Sequence, residues 1–198
     1  MNEQDLANAI VQIGAGSALS VLQTSLRPWR GITVHHSYAP HLPEWGVNYA
    51  LAFNRFHYRY RHWEKGLGYH LLLSWNPAAP EEHICWASGR WTQQWDGAHA
   101  VNRKESVLAG QHIAPNAETI GVCVVGDYSS FEVPAAVYGA LTRLLQPILS
   151  ALPGGEHARL FRHDQFQEKN CPGSKFDTDH LASLLHCTPF RGTGGSAA

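Results

Sequence analysis

The chain has 198 residues, 44% of them hydrophobic and 16% charged, which is enough to bury one sizeable core without disulfide staples. Lys plus Arg number 15 and Asp plus Glu 16, so the formal net charge is −1. That near-neutral balance excludes a global field able to gather nucleic acid or an acidic membrane surface.

No run approaches roughly 18 uninterrupted apolar residues, so no membrane span is expected. The opening stretch MNEQDLANAIVQIGAGSALSVLQTSLRPW sets Glu3 and Asp5 ahead of its apolar part and has no positive n-region. This argues against a secretory signal and for synthesis in the cytoplasm. Thirteen His suggest metal or proton chemistry, and seven Trp suit either a core or a sugar-and-peptide groove. Of Cys85, Cys123, Cys171 and Cys187, the first two lie in apolar runs and read as small core residues.

Residues 4 to 24 favour a helix through Leu6, Ile10, Ile13 and Leu19, weakened by Gly14 and Gly16 and ended by Pro28. They are expected to form a helical N-terminal extension, residues 1–28. Gly31 to Ser37 is strand-like. Alternation puts Ile32, Val34 and His36 on one face and Thr33, His35 and Ser37 on the other. The second face is polar throughout and is the better site face. Spacings of three and four predict a helix over Trp45 to Trp63. Tyr69 to Trp75 and Glu82 to Ser88 read as strands, and residues 89 to 118 as a long, functional loop. The apolar run Ile120 to Val125 predicts a central strand buried on both faces. Pro134 opens a helix through Val137, Ala140, Leu141, Leu144, Leu145 and Ile148, with a kink expected at Pro147. A short strand at Arg159 to His163 and a helix at Asp177 to His186 follow, then a flexible tail, 191–198. The order predicts an α/β fold: a central mixed sheet of about five strands with helices on both faces.

FRHDQFQEKNCPGSKF, residues 161 to 176, holds His163 at a strand end and Cys171 in the loop that follows. With His35 they supply three ligands of the type a catalytic zinc uses, the fourth position being left to water. Such a centre polarises a carbonyl and activates water, which suits amide hydrolysis. Spacing alone does not single out these three, since many loops hold a His and a Cys by chance.

Five segments sharpen the reading: ITVHHS, GLGYHLLLS, GRWTQQWDGAHA, IGVCVVGDY and RHDQFQEKNCPG. Together they resemble the zinc-dependent N-acetylmuramoyl-L-alanine amidase family that includes peptidoglycan recognition proteins and bacteriophage lysozyme-type amidases. Residues 29–190 would form the zinc amidase domain. The resemblance implies that His35, His163 and Cys171 hold Zn2+ and that Tyr69 donates a hydrogen bond to the oxyanion. Relatives that recycle anhydro-muropeptides carry Asp where Cys171 stands, which places this chain nearer the phage and recognition-protein branch. Lys169, two before the cysteine as in the phage enzymes, is implied to stabilise negative charge. His99 of GAHA is similar to a groove residue that helps hold the stem peptide. His112 competes for that alignment because it also precedes an Asn and the IGV strand, and residues 101 to 115 look like an insertion. His36 reads as a core or supporting histidine.

The resemblance thus implies a zinc-dependent hydrolase of the bond between the lactyl group of N-acetylmuramic acid and the stem L-alanine. Its partner would be peptidoglycan and its setting that of a lysin released to the cell wall. The competing expectations are a non-catalytic peptidoglycan-binding module, an intracellular amidase recycling anhydro-muropeptides, and a structural zinc domain.

Overall fold

The computed structural model describes residues 10–14, 16–38, 47–100, 107–108, 111–153 and 158–189. Its strands are β1 (Ile10–Ile13), β2 (Gly31–His36), β3 (Leu71–Asn76), β4 (Ala79–Ser88), β5 (Val107–Leu108), β6 (Gln111–His112), β7 (Thr119–Val124), β8 (Arg159–Arg162) and β9 (Thr188–Pro189). Its helices are α1 (Val47–Tyr60), α2 (Gly89–Thr92), α3 (Pro115–Glu118), α4 (Ala135–Ala151) and α5 (Thr178–Leu184).

Seven strands form one mixed sheet in the order β1-β4-β3-β7-β2-β8-β9, and β5 pairs with β6 in a separate hairpin. The pairs β1–β4 and β4–β3 are antiparallel, and the rest of the large sheet is parallel. Every residue of β2 and β7 is buried, as expected of strands covered on both faces by crossover helices. One face carries Ile32, Val34, Leu71, Leu73, Val122 and Val124 against Leu141, Leu144 and Leu145 of α4 and Leu181 of α5. The opposite face carries Leu72, Cys123 and Val125 against Tyr49 and Ala50 of α1. Alternation puts Thr33 and His35 on that second face, where both are fully buried, Thr33 against Thr119 and His35 against His99.

The architecture is the expected α/β one, with seven strands where about five were expected. The N-terminal helix is not formed over the described residues. Ile10–Ile13 is an edge strand in register with Ser88 to Cys85 of β4, and a short 3-10 turn follows at Ala18–Val21. The spacing of Ile10 and Ile13 suits either structure. Docking on the free edge of β4 decides it, a tertiary effect that overrides local propensity. The long loop contains α2, the β5–β6 hairpin and α3. The proposed insertion at 101 to 115 lies partly outside the described residues, and the tail wholly so. Asp177 caps α5 by accepting from the His180 N–H, and α4 continues past Pro147 to Ala151. No helix among the described residues is long and apolar enough to cross a membrane.

Leu141, fully buried between α4 and the sheet, gives a test of which layer carries stability. Leu141→Ala is expected to cost about 2–5 kcal/mol. Val11→Ala, on the exposed side of the edge strand, should cost less than about 0.5 kcal/mol. Urea midpoints of the two variants should separate accordingly; equal midpoints would contradict this account of the core.

Candidate metal centre

The parallel register of β2 and β8 builds the centre. Gly31 pairs with Arg159, Ile32 with Leu160, Thr33 with Phe161 and Val34 with Arg162. The next residue after each of these is a histidine: His35, still within β2, and His163, which follows the end of β8. In a parallel pair such neighbours point to the same face, and the two imidazole centroids lie 4.2 Å apart. After His163 the chain turns through a 3-10 segment, His163–Gln165. It returns so that the Asp164 N–H donates to the Cys171 carbonyl at 2.8 Å. Cys171 Sγ then stands 3.9 Å from His35 Nδ1. One ligand atom from each of His35, His163 and Cys171 lies within 4.8 Å of the others, and all three residues are buried.

Two further contacts hold the returning loop. The Arg162 guanidinium spans it, bonding Asp164 through Nε and Nη2 and reaching Gly173 O, Phe176 O and Thr178 Oγ1 at 3.3–3.4 Å. Gly173, at φ +102, lets the loop press on Tyr128, where a Cβ would sit 2.3 Å from the Tyr128 carbonyl carbon. Tyr128 is tied in turn to β2, its N–H donating to His36 Nδ1 at 3.1 Å. His36 is thus a supporting residue: its ring orders Tyr128, and its backbone N–H donates to Cys171 Sγ at 3.4 Å.

The electrostatics suit a metal. His163 has neither ring nitrogen hydrogen-bonded, although both are buried; such atoms are costly unless something coordinates them. Burial first, and then His99 and Lys169, push His163 down to about 3. Burial and the neighbouring His163 and His99 hold His35 well below its ordinary value. Both rings are therefore neutral, the form that ligates. Burial pushes the Cys171 thiol up to about 12, against the opposing pull of the His36 N–H. A bound cation is what would release that proton. Tetrahedral zinc with two nitrogen ligands and one sulfur sets its donor atoms roughly 3.3–3.8 Å apart. The 3.9 Å from His35 Nδ1 to Cys171 Sγ is close to that.

The centre opens into a cleft of about 420 Å3. Phe53, Phe56 and His57 of α1, with Trp63, form one wall. Tyr69 lies beside the candidate ligands, its ring 5.0 Å from that of His35. Burial, and then Cys123 and Cys171 nearby, keep its hydroxyl protonated far above the usual range. Lys169 is exposed on the rim. His99 borders the cleft but is 95% buried. Its Nδ1 is 3.1 Å from His35 Nε2, and its Nε2 is 3.2 Å from Thr119 O. His112 is exposed on the β5–β6 hairpin, where its carbonyl accepts from Arg30.

Several contributors escape a reading by spacing. The Arg162 strap, the aromatic wall and His70 are three. His70 is fully buried, bonding Trp95 O through Nε2 and accepting the Gly121 N–H at Nδ1. Arg162 and His70 lie within segments that carry the resemblance, whereas Phe53 and Phe56 lie outside all five, on the helix that their spacing predicts. Cys85 and Cys123 are buried and free, as their apolar surroundings suggest.

The buried histidines give the protein a pH signature. His57 is held near 3, His99 near 4, and His35, His36, His70 and His163 also below the ordinary value, in each case chiefly by burial. The unfolded chain titrates these groups near pH 6.5. Between that pH and the folded values, the unfolded state binds more protons. Stability is therefore complete above about pH 6.5 and lost as pH falls below it. The urea midpoint of metal-free protein should be flat above pH 7 and drop between pH 6.5 and 5, before ordinary carboxylates titrate. A midpoint unchanged across that window would refute the neutral, buried state of these rings.

The family model of N-acetylmuramoyl-L-alanine amidases, Amidase_2, matches residues 25–174. Among solved structures, bumblebee PGRP-SA superposes with a TM-score of 0.61 at 16% identity, over 82% of this chain and 85% of that one. The Ph2119 endolysin, from a Thermus scotoductus MAT2119 bacteriophage, gives 0.54 at 20% identity, over 83% and 90%. The LysCS endolysin amidase of Clostridium intestinale gives 0.53 at 18% identity, over 81% and 85%. At such identities these likenesses speak to fold alone. No curated protein sequence matches. The family match covers β2, β3, β7, β8 and the loop to Cys171, all the elements that build the centre, and on that match the chain belongs to the N-acetylmuramoyl-L-alanine amidase family.

Proposed function

We propose that this protein is a zinc-dependent amide hydrolase acting on peptidoglycan. The bond cleaved joins the lactyl group of N-acetylmuramic acid to the stem L-alanine. The observation that carries the reading is His163, its two buried nitrogens unpartnered beside His35 and Cys171 at the floor of the cleft. Zinc held there by His35, His163 and Cys171 would supply an activated water and polarise the scissile carbonyl.

The chain's own residues do the rest. Neutral His35 and His163 present lone pairs without first losing a proton. The His36 N–H, 3.4 Å from Cys171 Sγ, offsets part of the charge on a thiolate in a dry site. The protonated Tyr69 hydroxyl donates to the carbonyl oxygen as negative charge develops on it. Lys169 adds a cation at the rim, where it attracts the same charge without filling the site. The wall of Phe53, Phe56 and Trp63 packs on the substrate and keeps bulk water from the reacting bond. Structural neighbours include PGRP-LE of the same fold in complex with tracheal cytotoxin, a monomeric diaminopimelic acid-type peptidoglycan. That supports a muramoyl peptide as the class of ligand here.

Purified protein should carry about one zinc per chain and release free N-terminal alanine from peptidoglycan. A strong chelator should abolish release, and added zinc restore it; cleavage that ignores the chelator sinks the proposal. Cys171→Ala should lose both metal and activity.

Tyr69 and Lys169 separate by size of effect. Tyr69→Phe should keep zinc and lower kcat by about 100- to 1,000-fold with little change in KM, as for loss of one oxyanion donor. Lys169→Ala should cost about tenfold or less, since an exposed charge is screened. Steady-state kinetics on a soluble muramoyl peptide decide both, and full activity in Tyr69→Phe would remove that residue from the mechanism.

A further inference from the structure

We propose that His99 is a positioning residue for the metal centre, holding His35 in the one tautomer that turns Nδ1 toward Cys171. The inference rests on the zinc reading above, and its starting point is the direction of two hydrogen bonds. Thr119 O is a carbonyl and only accepts, so His99 Nε2, 3.2 Å away, carries the proton. The neutral ring then offers a lone pair at Nδ1. His35 Nε2 lies 3.1 Å from that lone pair and must donate to it. With its one proton on Nε2, His35 has a free lone pair at Nδ1. That is the atom 3.9 Å from Cys171 Sγ. A relay from a backbone carbonyl through one imidazole to the next fixes which nitrogen binds metal.

The surroundings leave His99 no other place. A Cβ at Gly97 would stand 2.3 Å from His99 Cδ2 and 2.8 Å from its Nε2. A Cβ at Gly121 would stand 2.3 Å from Cδ2 and 2.5 Å from Cγ. Two glycines from separate segments therefore leave open the slot that the ring fills. The Asn116 side chain fixes the backbone on either side, Oδ1 accepting from the N–H groups of His99 and Ala100 and Nδ2 donating to Ala100 O. With the ring 95% buried in this slot, its main office is toward His35. A groove residue that grips the stem peptide would need its polar atoms free, and both are used.

Residues behind a ligating histidine typically set metal affinity by 10- to 100-fold. In zinc competition against a chromogenic chelator, His99→Ala should weaken binding by about that factor. His99→Asn places an acceptor Oδ1 where Nδ1 was, and should recover most of the loss. Gly121→Ala, which displaces the ring without removing it, should weaken zinc binding as well. Long-range proton–nitrogen NMR on metal-free wild type needs no substitution and should show His35 protonated at Nε2. Protonation at Nδ1, or zinc affinity indifferent to residue 99, overturns the positioning role. So does a His99→Ala variant that keeps its zinc affinity and loses only affinity for a muramoyl peptide. A wild type that binds no zinc sinks the amidase reading and this role together, whereas a zinc-binding wild type indifferent to residue 99 sinks this role alone.

Discussion

The centre depends on the parallel register of β2 with β8. Because Val34 is paired with Arg162, the residues that follow them, His35 in β2 and His163 just past the end of β8, fall side by side. A slip of one residue would send one imidazole into the α4 core and leave the other alone. That register is not free to slip. Ile32 and Val34 fill the α4 side together with Leu160, so moving either strand would bury polar groups in an apolar layer. The packing of one face of the sheet thus sets the chemistry of the other. Cys171 joins afterwards, through a loop whose return is held by the Arg162 strap and the Gly173–Tyr128 contact.

A site built this way carries a cost in the absence of metal. Two neutral imidazoles, a neutral thiol and a third histidine are held out of water. At least one of them, His163, lacks any hydrogen-bond partner. Unpartnered buried polar atoms typically cost about 1–3 kcal/mol each. The fold meets that cost elsewhere, in the two apolar layers and in strands buried along their whole length. Metal coordination would satisfy one of the two His163 nitrogens and so return part of it, coupling occupancy of the centre to stability of the fold.

Much of this is legible in the sequence, for physical reasons that differ by element. The alternation in GITVHHS separates a polar face from an apolar one, so His35 stands out from its strand pattern alone. The period of α4 is plain because one face packs on the sheet and the other meets solvent. The edge strand β1 is not legible. Ile10 and Ile13 fit a helix equally well, and what decides between them is β4, a strand far along the chain. The pairing of His35 with His163 is of the same kind, since strand register is a non-local property. Arg162, next to His163, has the sequence surroundings of any solvated arginine. Its bonds to four separate groups exist only once the loop has closed. Resemblance makes His99 a groove residue, and the structure sets its largely buried ring at the border of the cleft with Nδ1 toward His35.

The slot around His99 also explains two motifs at once. In GAHA the glycine precedes the histidine by two residues, and in IGV it is the third residue of the central strand β7. Neither glycine has a positive φ, so neither is required by backbone conformation. Gly in a strand interior weakens the strand and needs a reason to be there. The reason here is close approach: the His99 ring occupies the space where the side chains of residues 97 and 121 would be. The Gly121 N–H is in turn accepted by His70 Nδ1, so the same glycine touches one imidazole through its backbone and another through its missing side chain. Two short segments, one from the loop after α2 and one from β7, are shaped by a single buried ring. The candidate centre therefore extends past His35, His163 and Cys171 into the strand that backs them.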